Sequence, residues 1–482
     1  MVSFLGQIVV AHIFGAGREL DAYLVAISLP LTVAGLCGGM LGYQVVPALR
    51  REETAAGSFD ASLLGMLLGL GGCTALLALA GIISAPWLVP LLAKSLPAAS
   101  LSIVMQSSLV AWTWLPLAVV AAVLTGGLHA RQKFALATVL QTLPAIGAMT
   151  GCLLASKSHG VSALAWGQLA GYIVMVILLY VMLRPARHRP DWKQARHILR
   201  EAPLALTALL VFVIYPLPDA IWGARAGTAG VSLLGYSQRL IVGFAGLAVA
   251  GATTVLFPRL AQQAAAGAHA ALKNDLSRSL RIMLACMMPA AAVLGVLALP
   301  IVRFLFVRGA FGEPESAALA HLLPWMFGGM VAMSCMTLTF KALFAQGRVR
   351  QAAALSAAGA MLYFVSAGLL VGMFGLPGIG AAYALTWWLV FGLAVRALDV
   401  SAPSDGAFSV RLVTITGLCG SVVWLGREVF LADHAQNQLH AMLALMGLAI
   451  VAGAVFCAAS LIWPGLDEIR LLVQRLRGGS KP

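Results

Sequence analysis

Charge is what this sequence has least of. Asp, Glu, Lys and Arg make up 10% of its 482 residues and hydrophobic residues 61%, whereas an ordinary soluble domain carries about 25% charged residues. No water-facing surface can be built from that. No hydrophilic block of domain size interrupts the apolar runs, so the length points to one membrane domain rather than several soluble ones. Cysteines are few. All seven (Cys37, Cys73, Cys152, Cys286, Cys335, Cys419, Cys457) stand singly, without a CxxC pair, and read as small core residues rather than a metal or dithiol centre. There is no Walker loop, no His/Cys cluster at metal-ligand spacing and no serine–histidine–acid set in polar surroundings. Enzymatic catalysis, a resident cofactor and drive by bound ATP are therefore not expected. Leu68-Gly69-Leu70-Gly71-Gly72 lacks the strand–turn–helix context of a nucleotide loop. The opening MVSFLGQIVV has no basic leader region, so no removable signal peptide is expected.

What is present is a series of long apolar runs. A spanning helix needs about 20 largely apolar residues. That ruler gives fourteen spans, near 1–16, 22–49, 61–93, 101–128, 134–156, 160–183, 203–224, 229–258, 280–307, 317–345, 351–374, 377–398, 408–430 and 439–463. The first is short, so either the helix is incomplete or the start written here lies downstream of the true one. The net charge of +14 does not indicate nucleic acid, because the basic residues sit in short loops between spans instead of on one polar face. They are topology charges. Loops after even-numbered spans hold Arg50, Arg51, Arg131, Lys133, the run Arg184 to Arg200, Arg259, Lys273, Arg278, Arg281, Arg348, Arg350, Arg396 and Arg411. The tail adds Arg470, Arg475, Arg477 and Lys481, while the opposite loops hold only Arg18, Lys94, Lys157, Arg225, Arg303, Arg308 and Arg427. Both termini are expected on the cytoplasmic side of a cytoplasmic (inner) membrane.

Transporters are often built from duplicated helix bundles, and four short matches suggest one here. Val46-Pro47-Ala48-Leu49 matches Phe257-Pro258-Arg259-Leu260, and Pro86 matches Pro300. Leu128-His129-Ala130-Arg131-Gln132 matches Leu343-Phe344-Ala345-Gln346-Gly347, and Gly160-Val161-Ser162-Ala163 matches Gly378-Ile379-Gly380-Ala381. Their order along the chain is the argument. The expected architecture is all-α and polytopic: an N-terminal lobe of six spans (1–183), a basic cytoplasmic linker (184–202) and a pseudo-symmetric second six-span lobe (203–398). Two extra C-terminal helices and a basic tail (399–482) follow. The fifty glycines, in patterns such as Gly65-Met66-Leu67-Leu68-Gly69, are packing devices that let helices approach closely.

The stretches HIFGAGRELDAYLVAISLP (12–30), YQVVPAL (43–49), GYSQRLIVGFAGLAVAGATTVLFPRLA (235–261), LFVRGAFGEPESAALAHLLPW (305–325) and ALFAQGRVRQ (342–351) carry a family resemblance. The chain resembles the MurJ/MviN family of lipid II flippases, within the superfamily of multidrug, oligosaccharidyl-lipid and polysaccharide exporters. The resemblance implies a V-shaped pair of lobes around a cavity open to lipid, with the two extra spans forming a groove for a polyprenyl tail. It also implies drive by membrane potential or an ion gradient, with no cofactor. The chain departs from the family at Gly6-Gln7, where the family carries Arg-Asp. It departs again at Ala34, Gly35 and Gly38, where two arginines and a glutamate are expected in the second helix.

Charges inside spans are costly, so those that persist usually face a cavity or a partner. Arg239, in GYSQRL, matches the family's cavity arginine and suits a pyrophosphate through paired hydrogen bonds, with a helix-steadying ion pair as the alternative. Asp219, in a Pro-rich break before Trp222, is placed to pair with Arg239, to bind a coupling cation or to form a structural salt bridge. Lys341 can snorkel to the headgroups from near its helix end. Arg18, Asp21 and Arg225 flank the opposite mouth, where anionic headgroups or plain solvent would meet them. His12 and His321 read as packing residues. The expected function is a flippase for a polyprenyl-pyrophosphate-linked saccharide such as lipid II, with the lipid-linked saccharide and membrane lipids as its partners. A flippase for another lipid-linked glycan (exopolysaccharide or O-antigen type), a drug or metabolite antiporter and a non-transporting envelope scaffold remain as alternatives.

Overall fold

The protein is described from a computed structural model, which covers residues 2–51, 58–186, 188–400, 406–431, 444 and 446–456. Arg187, Cys457, the end of the fourteenth expected span and the tail cations Arg470, Arg475, Arg477 and Lys481 lie outside the described residues. Within them every regular element is helical. In order these are α1 (Val2–Phe14), α2 (Arg18–Arg51), α3 (Ser58–Leu92), α4 (Leu101–Ala130), α5 (Phe134–Leu140), α6 (Leu143–His159), α7 (Ala163–Leu183) and α8 (Lys193–Val213). There follow α9 (Pro216–Gly223), α10 (Gly230–Ala265), α11 (His269–Val296), α12 (Ala298–Phe306), α13 (Glu313–Ala345), α14 (Val349–Phe374), α15 (Leu376–Leu398) and α16 (Gly406–Leu431). Each of the first thirteen expected spans falls on one helix or a consecutive pair, and Met446–Phe456 lies inside the fourteenth. Among the described residues nine helices are long and apolar enough to cross a bilayer, or ten if the bent pair α8–α9 counts as one span.

Proline places two of the breaks. The α8–α9 span bends by 46° where Pro216 opens α9, since a proline ring has no N–H to continue the helix and fits its first turn. Pro300 stands in the first turn of α12, just past the break at Leu297. Its sequence match Pro86 lies inside the unbroken α3, so the two prolines do not do the same thing. The expected linker 184–202 is also only half loop: from Lys193 it is the first half of α8.

The chain divides into two compact units, Met1–Tyr236 with Arg308–Phe311, and Ser237–Val307 with Gly312–Pro482. The boundary lies within α10 rather than in the basic stretch. α8 and α9 stay with the first unit because they pack on α2 and α3. Gly65 and Gly69 make that possible: a side chain at Gly65 would strike the Asp191 carbonyl, and at Gly69 the Ala195 methyl at 3.0 Å. The first unit's core is Leu41, Val45, Leu49, Leu63, Met66, Leu124, Leu128, Leu179 and Ile198, all buried. Lipid tails are as apolar as leucine, so helix pairing rests on close contact. A close case is α6 on α7, where Gly147 and Gly151 meet Gly167 and Gly171 with backbone on backbone. In the second unit α13, α14 and α15 pack together around the edge-to-face series Tyr363, Tyr383 and Trp387. There α16 is tied to α11 by Arg281 over the Phe408 ring (5.5 Å) and by Arg427 donating to the Val296 carbonyl (3.2 Å).

The internal duplication is visible in the backbone of each unit. Gln132 and Gly347 have positive φ (60° and 69°), as do Gly160 and Gly375 (55° and 61°) and Arg184 and Asp399 (42° and 53°), and every pair is 215 residues apart. The turn bond from Lys133 N–H to the Leu128 carbonyl is repeated by Arg348 to Leu343 at the same offset (both 2.9 Å). The true counterpart of Gly160 is therefore Gly375, not Gly378, because both are the left-handed residues that end a helix and begin the next. Each unit also fastens a helix end, that of α7 and that of α15, with an arginine. Arg131 donates to the Leu183 carbonyl (2.7 Å) and Arg348 to the Ala397 carbonyl (2.7 Å). Asp60 accepts from Arg131 (3.1 Å) and from the Ala186 N–H (3.1 Å).

Candidate functional site

Parts of three stretches that carry the family resemblance meet at one end of the first unit. α1 ends at Gly15 in a left-handed turn, φ +63°, and a Cβ there would run into the Ala310 carbonyl. Ala310 N–H donates to the His12 carbonyl (3.0 Å). Gly309, φ +65°, lies against the same residue with no room for a side chain. Tyr236 closes the knot: its hydroxyl donates to the Gly15 carbonyl (2.7 Å) and its ring stands edge-on to Phe311 at 5.6 Å. Two glycines and a buried tyrosine in these motifs are thus explained by packing alone.

Asp21 belongs to the same knot. It is 2% exposed, accepts from the Ser232 N–H (2.7 Å) and the Ser232 hydroxyl, and also takes a backbone hydrogen bond from Ala229. Those donors are the orphan N–H groups at the start of α10, which a helix cannot satisfy by itself. Expected at a mouth that meets headgroups, Asp21 is instead a buried cap lent by α2 to α10. Arg18, one turn earlier, and Arg225 are exposed at this same end, and the Arg225 guanidinium lies 4.6 Å from the Trp222 ring centre. Asp219 is buried in the first turn of α9, just past the 46° bend. The Pro-rich break foreseen there is present, and a carboxylate so placed complements the positive end of a short helix.

The second unit holds Arg239 and Lys341. Arg239 is exposed, and so are Val242, Gly243 and Gly246, which continue the same face of α10. Nothing lies within 4 Å of where a side chain at Gly243 or Gly246 would begin. Among the described side chains of α10, the Arg239 guanidinium thus heads an open face continued by Val242 and two glycines. Exposure of a charge in such a helix fits a polar cavity better than lipid. Lys341 is half-buried, four residues before the end of α13. Phe244 and Phe327 meet edge-to-face at 5.9 Å and set α10 and α13 level. With spans eight and ten running the same way, Arg239 and Lys341 are about 28 Å apart along the helix axes. They do not grip the same phosphate.

Among the described residues no group of three His, Cys, Asp or Glu side chains is placed to hold a metal ion. The carboxylates of Asp21 and Asp219 are both buried. Neighbouring α2 carries no charge from Ala22 to Leu49, and Gly38 and Gly42 on it face open space.

The family model for "Lipid II flippase MurJ" matches residues 10–448. A curated relative from Rhizobium meliloti (strain 1021), described as a probable lipid II flippase MurJ, is 28% identical over 67% of this chain and 63% of its own length. A relative with the same description from Buchnera aphidicola is 25% identical over 49% of this chain and 47% of its own. The chain thus spans less than two thirds of the curated relatives it matches. Among solved structures, one described as lipid II flippase MurJ in an inward closed conformation superposes with a TM-score of 0.79. It is 16% identical, and the match covers 95% of this chain and 97% of that one. An inward-facing multidrug MATE-family transporter superposes at 0.69, also 16% identical, over 84% and 95% of the two chains. These likenesses show a multi-span membrane transporter fold.

Proposed function

The chain belongs to the lipid II flippase MurJ family, and on that premise we propose that it carries a polyprenyl-pyrophosphate-linked saccharide of the lipid II type across the cytoplasmic membrane by alternating access. The observation that carries the reading is Arg239, one exposed guanidinium on a face of α10 continued by Gly243 and Gly246. A planar, permanently charged fork binds two oxygens of a pyrophosphate in parallel hydrogen bonds. The small residues beside it leave room for the sugar, and the polyprenyl chain stays in lipid. Drive comes from the membrane potential or an ion gradient, with Asp219 as the candidate coupling carboxylate. The basic loops after even-numbered spans support a topology with both termini in the cytoplasm.

A second reading is favoured by one observation. α2 runs uncharged from Ala22 to Leu49 and opens at Gly38 and Gly42, which suits a bulky, weakly charged glycan carried on the same lipid pyrophosphate. Equilibrium binding decides between the two. The purified protein is titrated with lipid II, with a lipid-linked neutral oligosaccharide and with polyprenyl monophosphate. Tighter binding of lipid II than of the oligosaccharide supports the first reading and the reverse order the second. A protein that holds the monophosphate as tightly as either pyrophosphate contradicts the role given to Arg239.

A further inference from the structure

The first half of α8 carries Lys193, Arg196, His197 and Arg200, all exposed, at the spacing that puts four side chains on one face of a helix. The opposite face, Gln194, Ala195 and Ile198, is buried against the first unit. The loop leading in adds exposed Arg184, His188 and Arg189. Opposing charge is outnumbered: exposed Arg184, Arg189, Lys193, Arg196 and Arg200 face Asp191, whose carboxylate accepts from the Lys193 N–H (2.9 Å) as a helix cap, and Glu201, 3.6 Å from His197. Exposed apolar residues border the stripe, with Trp192 40%, Leu199 39% and Leu204 39% exposed. The stripe is built rather than loose. Asp191 N–H donates to the Ala61 carbonyl (2.9 Å), Ala186 N–H donates to Asp60 (3.1 Å), and the Trp192 ring lies against Gly69.

From these contacts we propose that the outer face of α8 is a binding site for the headgroups of anionic phospholipids of the surrounding bilayer, of the phosphatidylglycerol type. α7 ends at Leu183 and α8 turns apolar from Ala202 on, so the stripe stands at headgroup depth. Tryptophan is the side chain that prefers that depth, and lysine and arginine there are each drawn to anionic headgroups. A stripe serving topology alone would need neither the fixed register of three cations and a histidine nor the backbone anchors that hold it. The site is independent of the transport reading.

The test is a lipid titration of the full-length protein in neutral detergent, with bound lipid counted by native mass spectrometry. Dioleoylphosphatidylglycerol is expected to be held at least about tenfold more tightly than dioleoylphosphatidylcholine, and less so as salt rises. K193Q/R196Q/R200Q is expected to lose that preference, whereas R50Q/K133Q/R350Q, with the same charge removed elsewhere, keeps it. If the first triple variant does not fold, R196Q and R200Q singly carry the test, each weakening the anionic lipid about fivefold. Undiminished preference in the α8 variants overturns the proposal. So does displacement of phosphatidylglycerol by a lipid-linked pyrophosphate or by RNA at equal concentration, either of which would give the stripe to another partner.

Discussion

Replacing Asp21 tests whether it is a cap or a substrate ligand. Its carboxylate is 2% exposed and accepts two hydrogen bonds from Ser232 and one from the Ala229 backbone. Hydrogen bonds to a charged group contribute about 1.5–3 kcal/mol each when one partner is removed, and a buried N–H left without an acceptor costs a similar amount. The losses overlap, so D21A should destabilise the first unit by about 3 kcal/mol, and D21N, which keeps one acceptor oxygen, by about half of that. For a unit of this size that is a fall of roughly 6–12 °C in Tm for D21A. The assay is thermal unfolding in detergent of D21A, S232A and the double variant. The single effects should fail to add, with a coupling of about 1–2 kcal/mol, because both remove the same bond. Additive effects would refute the capping role. So would a D21N protein as stable as wild type but inactive in transport, which would return Asp21 to the substrate.

Three further expectations follow from other contacts. G167A should put a methyl group onto the Gly147 carbonyl and destabilise the protein by about 1–3 kcal/mol, read as lower Tm, while G38A, facing open space, should leave Tm unchanged. R131A and R348A each strip a helix-end carbonyl of its donor and should cost about 1–3 kcal/mol apiece; hydrogen exchange should rise at the ends of α7 and α15 respectively, and a uniform rise elsewhere would contradict the assignment. At Asp399 the Lys273 ammonium, by hydrogen bond and then by charge, holds the carboxyl below its ordinary range. A depressed carboxyl stabilises the fold above the ordinary carboxylate pKa and loses that contribution as pH falls through the lowered value. K273A should therefore flatten the acid limb of stability below about pH 4 and change nothing near neutrality; both side chains are well exposed, so high salt should mimic the variant.

Much of this fold is legible in the sequence because the bilayer imposes it. A run of apolar residues long enough to span has one solution, the helix, and the first thirteen runs and the described part of the fourteenth accordingly land on helices. Breaks were legible where proline makes them, at Pro216. The break at Gln141-Thr142, between α5 and α6, lies inside one expected span, although Pro144 opens α6 as Pro300 stands in the first turn of α12. The start of α8 inside a basic stretch was hidden by its charge: on its buried face Ala195 and Ile198 are too few apolar residues to outweigh six Lys and Arg in 184–202. The repeat was legible as an ordering of weak matches, but its register came from backbone angles, which residue identity fixes only loosely when Gln132 does the work of Gly347 and Arg184 that of Asp399. Among the site residues, Arg239 stands out in sequence as a lone charge in an apolar run. Asp21 looks the same as an exposed loop acid, since nothing local announces that a helix more than two hundred residues away will need a cap. Gly147, Gly151, Gly167 and Gly171 were the missed signal, a pair of small-xxx-small motifs in adjacent spans.

The most direct test of the central claim is rescue of a bacterium depleted of its own lipid II flippase, read as the amount of lipid II exposed on the outer leaflet to a membrane-impermeant label. The chain carrying Arg239 should restore exposure and growth, and Arg239→Ala, present in the membrane at the same level, should restore neither. Full rescue by Arg239→Ala would contradict the assignment of pyrophosphate binding to α10, and failure of the unaltered chain at normal membrane level would contradict lipid II as its cargo.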